Sequence, residues 1–273
     1  MHHMEDYRKH LAAEEKSDLT VEKYLRDAEA FLRWLGPRPL GKREVLDYKA
    51  YLTERYAVAS VNSMLSAVNH YLTFLGRPDC RVRVIRRQRQ LFCREERELT
   101  RQEYQRLVNA AQGKPKLQLL LQTLCATGIR VSEHRFITVE AAKRGVAEVS
   151  CKGKLRTVLL PRKLCRALLK YAKRAGIRQG SLFVTRRGTP LDRSYIWAEM
   201  KKLCKAANVL AEKVFPHNLR HLFARTYYAQ ERDIVRLADL LGHASINTTR
   251  IYTLESGQVH RRQIERLHLC CIT

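Results

Sequence analysis

Four residues near the end of the chain have types and spacing that suit chemistry on a phosphate ester. His217 and Arg220 lie in Phe-Pro-His-Asn-Leu-Arg-His (215–221), His243 closes Leu-Leu-Gly-His (240–243), and Tyr252 follows nine residues later. Arg130 stands upstream in Ala-Thr-Gly-Ile-Arg-Val-Ser-Glu (126–133). Arginine presents a planar fork of donors that matches phosphate oxygens. Histidine moves protons near neutral pH, and tyrosine can be a covalent nucleophile. The set therefore suits metal-free phosphoryl transfer to a tyrosine. Each piece alone carries little, because HxxR is common and most of the twelve tyrosines must be core or surface.

The ordered combination resembles the tyrosine recombinases, the phage-integrase family, over nearly the whole chain and most densely over 120–160 and 215–253. The resemblance implies a DNA strand-exchange enzyme that works through a 3′-phosphotyrosyl intermediate and a four-way (Holliday) junction. Arg130 and Arg220 would clamp the scissile phosphate, and Glu133 would hold Arg130. His217 would accept the proton of Tyr252, the nucleophile, and His243 would donate to a non-bridging oxygen. Lys152, in the β-turn, would protonate the leaving 5′ oxygen. The turn is a residue shorter than usual, so Lys154 stays open for that role. His221 has no place in the family pattern and reads as structural. The resemblance also implies a chain that is monomeric when free and a homotetramer on double-stranded DNA with specific core sites. The need for an accessory DNA-bending protein is open. A type IB topoisomerase, or a non-catalytic helix-turn-helix protein built on 233–252, are the alternatives.

Composition agrees with a polyanionic partner. In 273 residues, 52 Lys and Arg face 27 Asp and Glu, a formal charge of +25, which favours nucleic acid. No apolar run is long enough to span a membrane and no signal peptide is evident. The expected location is cytoplasmic, at the nucleoid. The eight cysteines form no CxxC pair or zinc-ligand spacing, so we expect reduced thiols and no metal site. No phosphate loop is present, so neither metal nor ATP is expected as cofactor.

These residues need a scaffold. The expected fold is mainly α (α+β): an N-terminal four-helix, SAM-like core-DNA-binding domain, and a mostly helical catalytic domain with a small antiparallel sheet. Residues 1–76 carry helical periodicity at about 4–15, from Asp18 to a stop at Gly36-Pro37, at 42–55 and at 60–75. Tyr24, Phe31 and Trp34 read as core. Because helices start near residue 1, we expect no additional arm-DNA-binding domain. Residues 77–98 hold eight arginines and no lysine and read as the interdomain linker. It is either solvated or a strap along phosphate backbone; Arg83, Arg86, Arg87 and Arg89 would be its DNA contacts. Residues 99–273 form the catalytic domain, opening with a Thr100–Glu103 capping box. Strands are expected at 146–151 and 157–160 around Lys152-Gly153-Lys154, and helices at 116–126, 162–175, 192–207 and 217–230. Two short helices should flank Gly242. The tail 257–273 would pack on its own domain or on a neighbouring protomer.

Overall fold

The structure, a computed structural model, describes residues 2–86, 95–151, 154–253, 261, 262 and 265–267. The chain divides into two compact units, Met1–Arg89 and Gln90–Thr273.

The first unit is four helices, α1 (His2–Ala13), α2 (Asp18–Leu35), α3 (Lys42–Arg55) and α4 (Val58–Phe74). Gly36 ends α2 at φ +60, its N–H returning to the Leu32 carbonyl; glycine takes that conformation without a Cβ penalty. Phe31, Val45, Leu52, Leu65 and Leu72 fill one core, and Tyr7, Leu11, Leu25 and Tyr71 a second. Phe31 is buried, while Tyr24 and Trp34 are half-buried against these cores.

This unit runs past the expected boundary at residue 76. Residues 81–86 lie on α4 and α3, with Cys80 and Val82 buried in the core. Asn69 donates to the Val82 carbonyl at 2.8 Å and accepts from its N–H at 2.9 Å. Asn62, two turns earlier, does the same for Ile85 at 2.9 and 2.8 Å. Lys49 donates to the Arg83 carbonyl at 2.8 Å, and Lys42 to that of Arg81. Two carboxamides thus stand in for a partner strand, meeting the backbone's obligatory donors and acceptors. Arg81, Arg83 and Arg86 remain exposed, so this stretch is an ordered edge of the first unit instead of a solvated linker. Arg87 and Arg89 lie outside the described residues.

The second unit opens with α5 (Arg101–Ala110), capped as expected: Thr100 N–H donates to Glu103 Oε2 at 2.8 Å and Glu103 N–H to Thr100 Oγ1 at 3.1 Å. There follow α6 (Pro115–Thr127), a 3₁₀ turn Val131–Phe136, α7 (Val139–Arg144) and the hairpin β1 (Val146–Cys151) and β2 (Lys154–Leu159). Its antiparallel register pairs Val146 with Leu159 and Cys151 with Lys154. Lys154, expected in the turn, therefore begins β2. Lys152 and Gly153 lie outside the described residues. The chain continues through α8 (Arg162–Arg174), α9 (Arg193–Lys202), α10 (Cys204–Ala207), α11 (Pro216–Glu231), α12 (Ile234–Leu241) and α13 (Ile246–Thr249), then a 3₁₀ turn Arg250–Tyr252. The expected helix over 192–207 is thus two, broken at Leu203. Leu107, Leu120, Leu124, Leu168, Phe183 and Met200 centre the core, and α6 packs on α11. Cys80, Cys165 and Cys204 are buried and Cys125 half-buried, all as free thiols. No helix among the described residues is long and apolar enough to cross a membrane. Of the tail, Val259, Ile264 and Leu269 lie outside the described residues, and Leu267 is exposed.

Asn69→Ala strips Val82 of both backbone partners, so the variant should lose about 1–3 kcal/mol. Urea unfolding of wild type and variant measures this; an unchanged midpoint would mean solvent replaces the carboxamide at no cost.

Candidate active site

Arg220 is the centre of the site and is 1% exposed. It projects from the second turn of α11, on the same face as His217 one turn earlier. Its Nη1 donates to the Gly128 carbonyl at 2.5 Å and its Nη2 to the Leu241 carbonyl at 2.8 Å. Both carbonyls lie at helix C-termini, where backbone dipoles present negative charge. Gly128 makes this possible. It caps α6 at φ +62, and a Cβ there would meet Phe223 Cδ1 at 2.4 Å. The end of α6 therefore touches α11 only because residue 128 has no side chain.

Arg220 Nη2 also lies 2.9 Å from His243 Nε2. A guanidinium only donates, so Nε2 accepts and the ring proton sits on Nδ1, which donates to Thr249 Oγ1 at 2.8 Å. Gly242 at φ +64 ends α12, with N–H groups of Gly242 and His243 both returning to its last turn, a Schellman closure. That closure aims His243 at Arg220.

Tyr252 is 4% exposed and packs with Ala224, Leu237 and Leu241. Its ring lies nearly parallel to His243, centroids 6.0 Å apart, and edge-on to His221 at 4.8 Å and 89°. Its phenol is among the groups whose electrostatic influence reaches the Arg220 guanidinium. His221 in turn lies 4.6 Å from His217, and its Nδ1 is 3.5 Å from Glu98 Oε1. His221, read from sequence as structural, is thus a wall of the tyrosine's pocket.

Arg130 caps the 3₁₀ turn. Glu133 accepts from its backbone N–H at 2.8 Å and from Nη1 at 3.1 Å. Glu133 is 1% exposed and holds a second cation, Arg156 Nη2, at 2.6 Å. Arg156 Nη1 donates to the Leu240 carbonyl at 2.8 Å. Sequence reading missed Arg156, which has no motif of its own. Its signal was indirect: it is the residue that Gly242 accommodates, since a Cβ at 242 would meet Arg156 Cδ at 2.3 Å. Burial pushes the Glu133 carboxyl up, but the bonds from Arg130 and Arg156 more than offset it and hold it below the usual range.

Arg130, Arg220 and His217 line one cavity of about 820 Å³, together with Arg193, Ser194 and Trp197. Arg130 and Arg156 share one carboxylate, Glu133, while Arg220 is held by backbone carbonyls, so the site is rich in positive charge. Crowding by the protein, then His221, Arg220, Arg130 and Arg193, pull the His217 imidazole down to about 4, although its ring edge reaches solvent. Burial, then Arg220, Arg130, Arg156 and His217, bring His243 to about 4 as well. Both rings are therefore neutral at pH 7 and able to accept protons. The structure thus brings Arg130, Glu133, His217, Arg220, His243 and Tyr252 together. Arg83 and Arg86 belong to the other unit, and Lys152 lies outside the described residues.

Comparison with known proteins identifies this arrangement. Residues 97–258 match the phage integrase family, and residues 4–78 match the N-terminal SAM-like domain of phage integrases. The chain belongs to the phage integrase family, the tyrosine recombinases. It is 30% identical over 274 residues to the tyrosine recombinase XerD of Haemophilus influenzae, covering 92% of each chain. Its fold matches a lambda integrase dimer bound to a COC′ core site, with a TM-score of 0.74 at 20% identity, over 94% of this chain and 96% of that one. It also matches a lambda integrase tetramer bound to a Holliday junction, with a TM-score of 0.73 at 20% identity, over 92% and 76%.

The two histidines give a pH dependence. In the unfolded chain they titrate near 6.5; in the fold they stay neutral down to about 4. Between those values the unfolded state binds more protons, so stability rises with pH. Their contribution is complete above pH 6.5 and is lost as pH falls towards 4. Unfolding midpoints between pH 7 and pH 5 should drop less in a His217→Gln/His243→Gln double variant than in wild type. Equal drops would mean these rings do not titrate anomalously.

Proposed function

We propose that this protein is a site-specific DNA recombinase that cuts and rejoins strands through Tyr252, without metal or ATP. The observation that carries the reading is the convergence of Arg220, His243 and Tyr252, with His217 and Arg130 on the same cavity. The Tyr252 oxygen attacks the phosphorus and its proton passes to His217, which is neutral and open at its edge. The bond to the 5′ oxygen breaks, leaving a 3′-phosphotyrosyl enzyme and a free 5′-hydroxyl. Arg130 and Arg220 neutralise the non-bridging oxygens as charge grows on them. Glu133 keeps Arg130 at the cavity. His243 joins them once the bound anion raises its pKa: a proton on Nε2 turns it from acceptor to donor. Lys152 supplies the proton to the 5′ oxygen, with Lys154 as the alternative. The ester keeps the bond energy, so attack by a different strand's 5′-hydroxyl completes exchange.

The substrate is double-stranded DNA with specific core sites, bound by Arg83, Arg86, Arg87 and Arg89 among others, and the working assembly is a homotetramer on a four-way junction. The formal charge of +25 and the likeness to core-site and junction complexes support this. Similarity to recombinases over both units favours recombination over topoisomerase activity, and the cavity's arginine–histidine–tyrosine set favours catalysis over simple helix-turn-helix binding.

Tyr252→Phe removes only the hydroxyl, so DNA binding should persist while the covalent adduct on a nicked suicide substrate disappears. An adduct formed by the Phe variant would sink the assignment.

The lysine is separated by a 5′-bridging phosphorothiolate. Sulfur leaves without a proton because a thiolate is a far weaker base than an alkoxide. Cleavage by Lys152→Ala should be restored on this substrate, and cleavage by Arg130→Ala or Arg220→Ala should not. Restoration of Lys154→Ala alone would move the role two residues along.

A further inference from the structure

Among the described residues, one set of metal-ligating side chains converges away from the active site. His10 and Glu14 lie at the C-terminal end of α1, and His70 on α4. Their donor atoms all fall within 4.8 Å of one another. His10 Nε2 is 3.3 Å from Glu14 Oε1, and His70 Nε2 is 2.8 Å from Glu14 Oε2.

We propose that these three side chains form a binding site for a divalent transition-metal ion, Zn²⁺ first, which staples α1 to α4. Zinc takes nitrogen and carboxylate oxygen at about 2.0–2.1 Å in a tetrahedron, whose donor–donor edges are then roughly 3.3 Å. The two rings approach different oxygens of Glu14, Oε1 from His10 and Oε2 from His70, so the carboxylate already bridges them, and a metal would draw one donor atom from each residue inward from spacings of at most 4.8 Å. Two imidazoles and one carboxylate are a known three-ligand zinc set, with water completing the fourth position. The open, exposed side of the cluster provides room for that water.

The surroundings hold the donors in place. Tyr7, fully buried, places its hydroxyl 3.0 Å from His70 Nδ1. In the metal-free fold His70 Nε2–H donates to Glu14 and Nδ1 accepts from Tyr7; metal binding displaces the Nε2 proton and leaves the ring proton on Nδ1, which then donates to Tyr7 as a supporting hydrogen bond does for a metal-ligating histidine. The His10 ring packs 5.1 Å from Phe74 and 5.9 Å from His70. Beneath, Tyr7 meets Tyr71 edge-on at 4.9 Å, so the two helices are already locked by aromatic packing. Lys16 Nζ, 3.4 Å from Glu14 Oε2, is the resident cation and would be displaced; its exposed, flexible stem allows this. In sequence, 56 residues separate Glu14 from His70, which is why motif spacing gave no hint of the cluster.

The test uses the full chain stripped with EDTA under reducing conditions. Titration with ZnCl₂ should give one site per chain and a rise in Tm that grows with free metal. Co²⁺ should give d–d bands without a thiolate charge-transfer band, excluding the eight cysteines as ligands. His10→Gln and His70→Gln should each weaken binding by more than the roughly 10–100-fold that loss of a supporting residue costs; His3→Ala should leave it unchanged. His10 is exposed, so its variant keeps the test decisive if loss of His70 disturbs Tyr7. No binding, binding intact in His10→Gln, or a thiolate band at stoichiometric cobalt would each overturn the proposal.

Discussion

A buried guanidinium held by backbone carbonyls instead of carboxylates governs the catalytic unit. Arg220 takes its hydrogen bonds from the C-terminal ends of α6 and α12. Carbonyls satisfy the donors but leave the positive charge uncompensated, which an acid partner would cancel. The burden moves to the backbone: three helices must meet at one side chain. Gly128 and Gly242 allow it, each at positive φ and each with a neighbour where a Cβ would sit. Removing a buried charge's partners costs about 3–5 kcal/mol, so any change that shifts either helix end is felt at Arg220.

The rest of the site follows from that surplus charge. Arg130 and Arg156 add to it, and Glu133 is the counter-ion that those two guanidiniums share. It acts twice, orienting Arg130 towards the cavity and fixing Arg156 against α12. Burial first, and the same field after it, keep both imidazoles neutral. Arg130, Arg193 and Arg220 thus share one cavity with His217, a proton acceptor.

Local signals made much of this legible. Gly36, the Thr100–Glu103 box and the Leu-Leu-Gly-His turn each announce a helix end through chemistry confined to a few residues, and the structure has them there. The motif positions Arg130, His217, Arg220, His243 and Tyr252 also meet. What stayed hidden depends on pairs far apart in the chain. Arg156, on β2, matters because Glu133, 23 residues earlier in the 3₁₀ turn, pairs with it. The arginine-rich stretch looked aperiodic because its partners are Asn62 and Asn69, whose carboxamides replace a strand and leave no alternation to read. His221 has no place in the family pattern, and its contact with Tyr252, 31 residues on in a 3₁₀ turn, left no local sign. Lys154 moved from turn to strand because it pairs with Cys151 at the end of the ladder.

The burial of Tyr252 has a consequence for when the protein is armed. A nucleophile on a loose tail can be withheld at little cost, and its delivery then acts as the switch. Here the ring is part of a small apolar core with α11 and α12, so withdrawing it exposes apolar surface to water. The arrangement with the ring in place is the resting one for the isolated chain, and moving the ring away needs outside contacts strong enough to extract a core side chain.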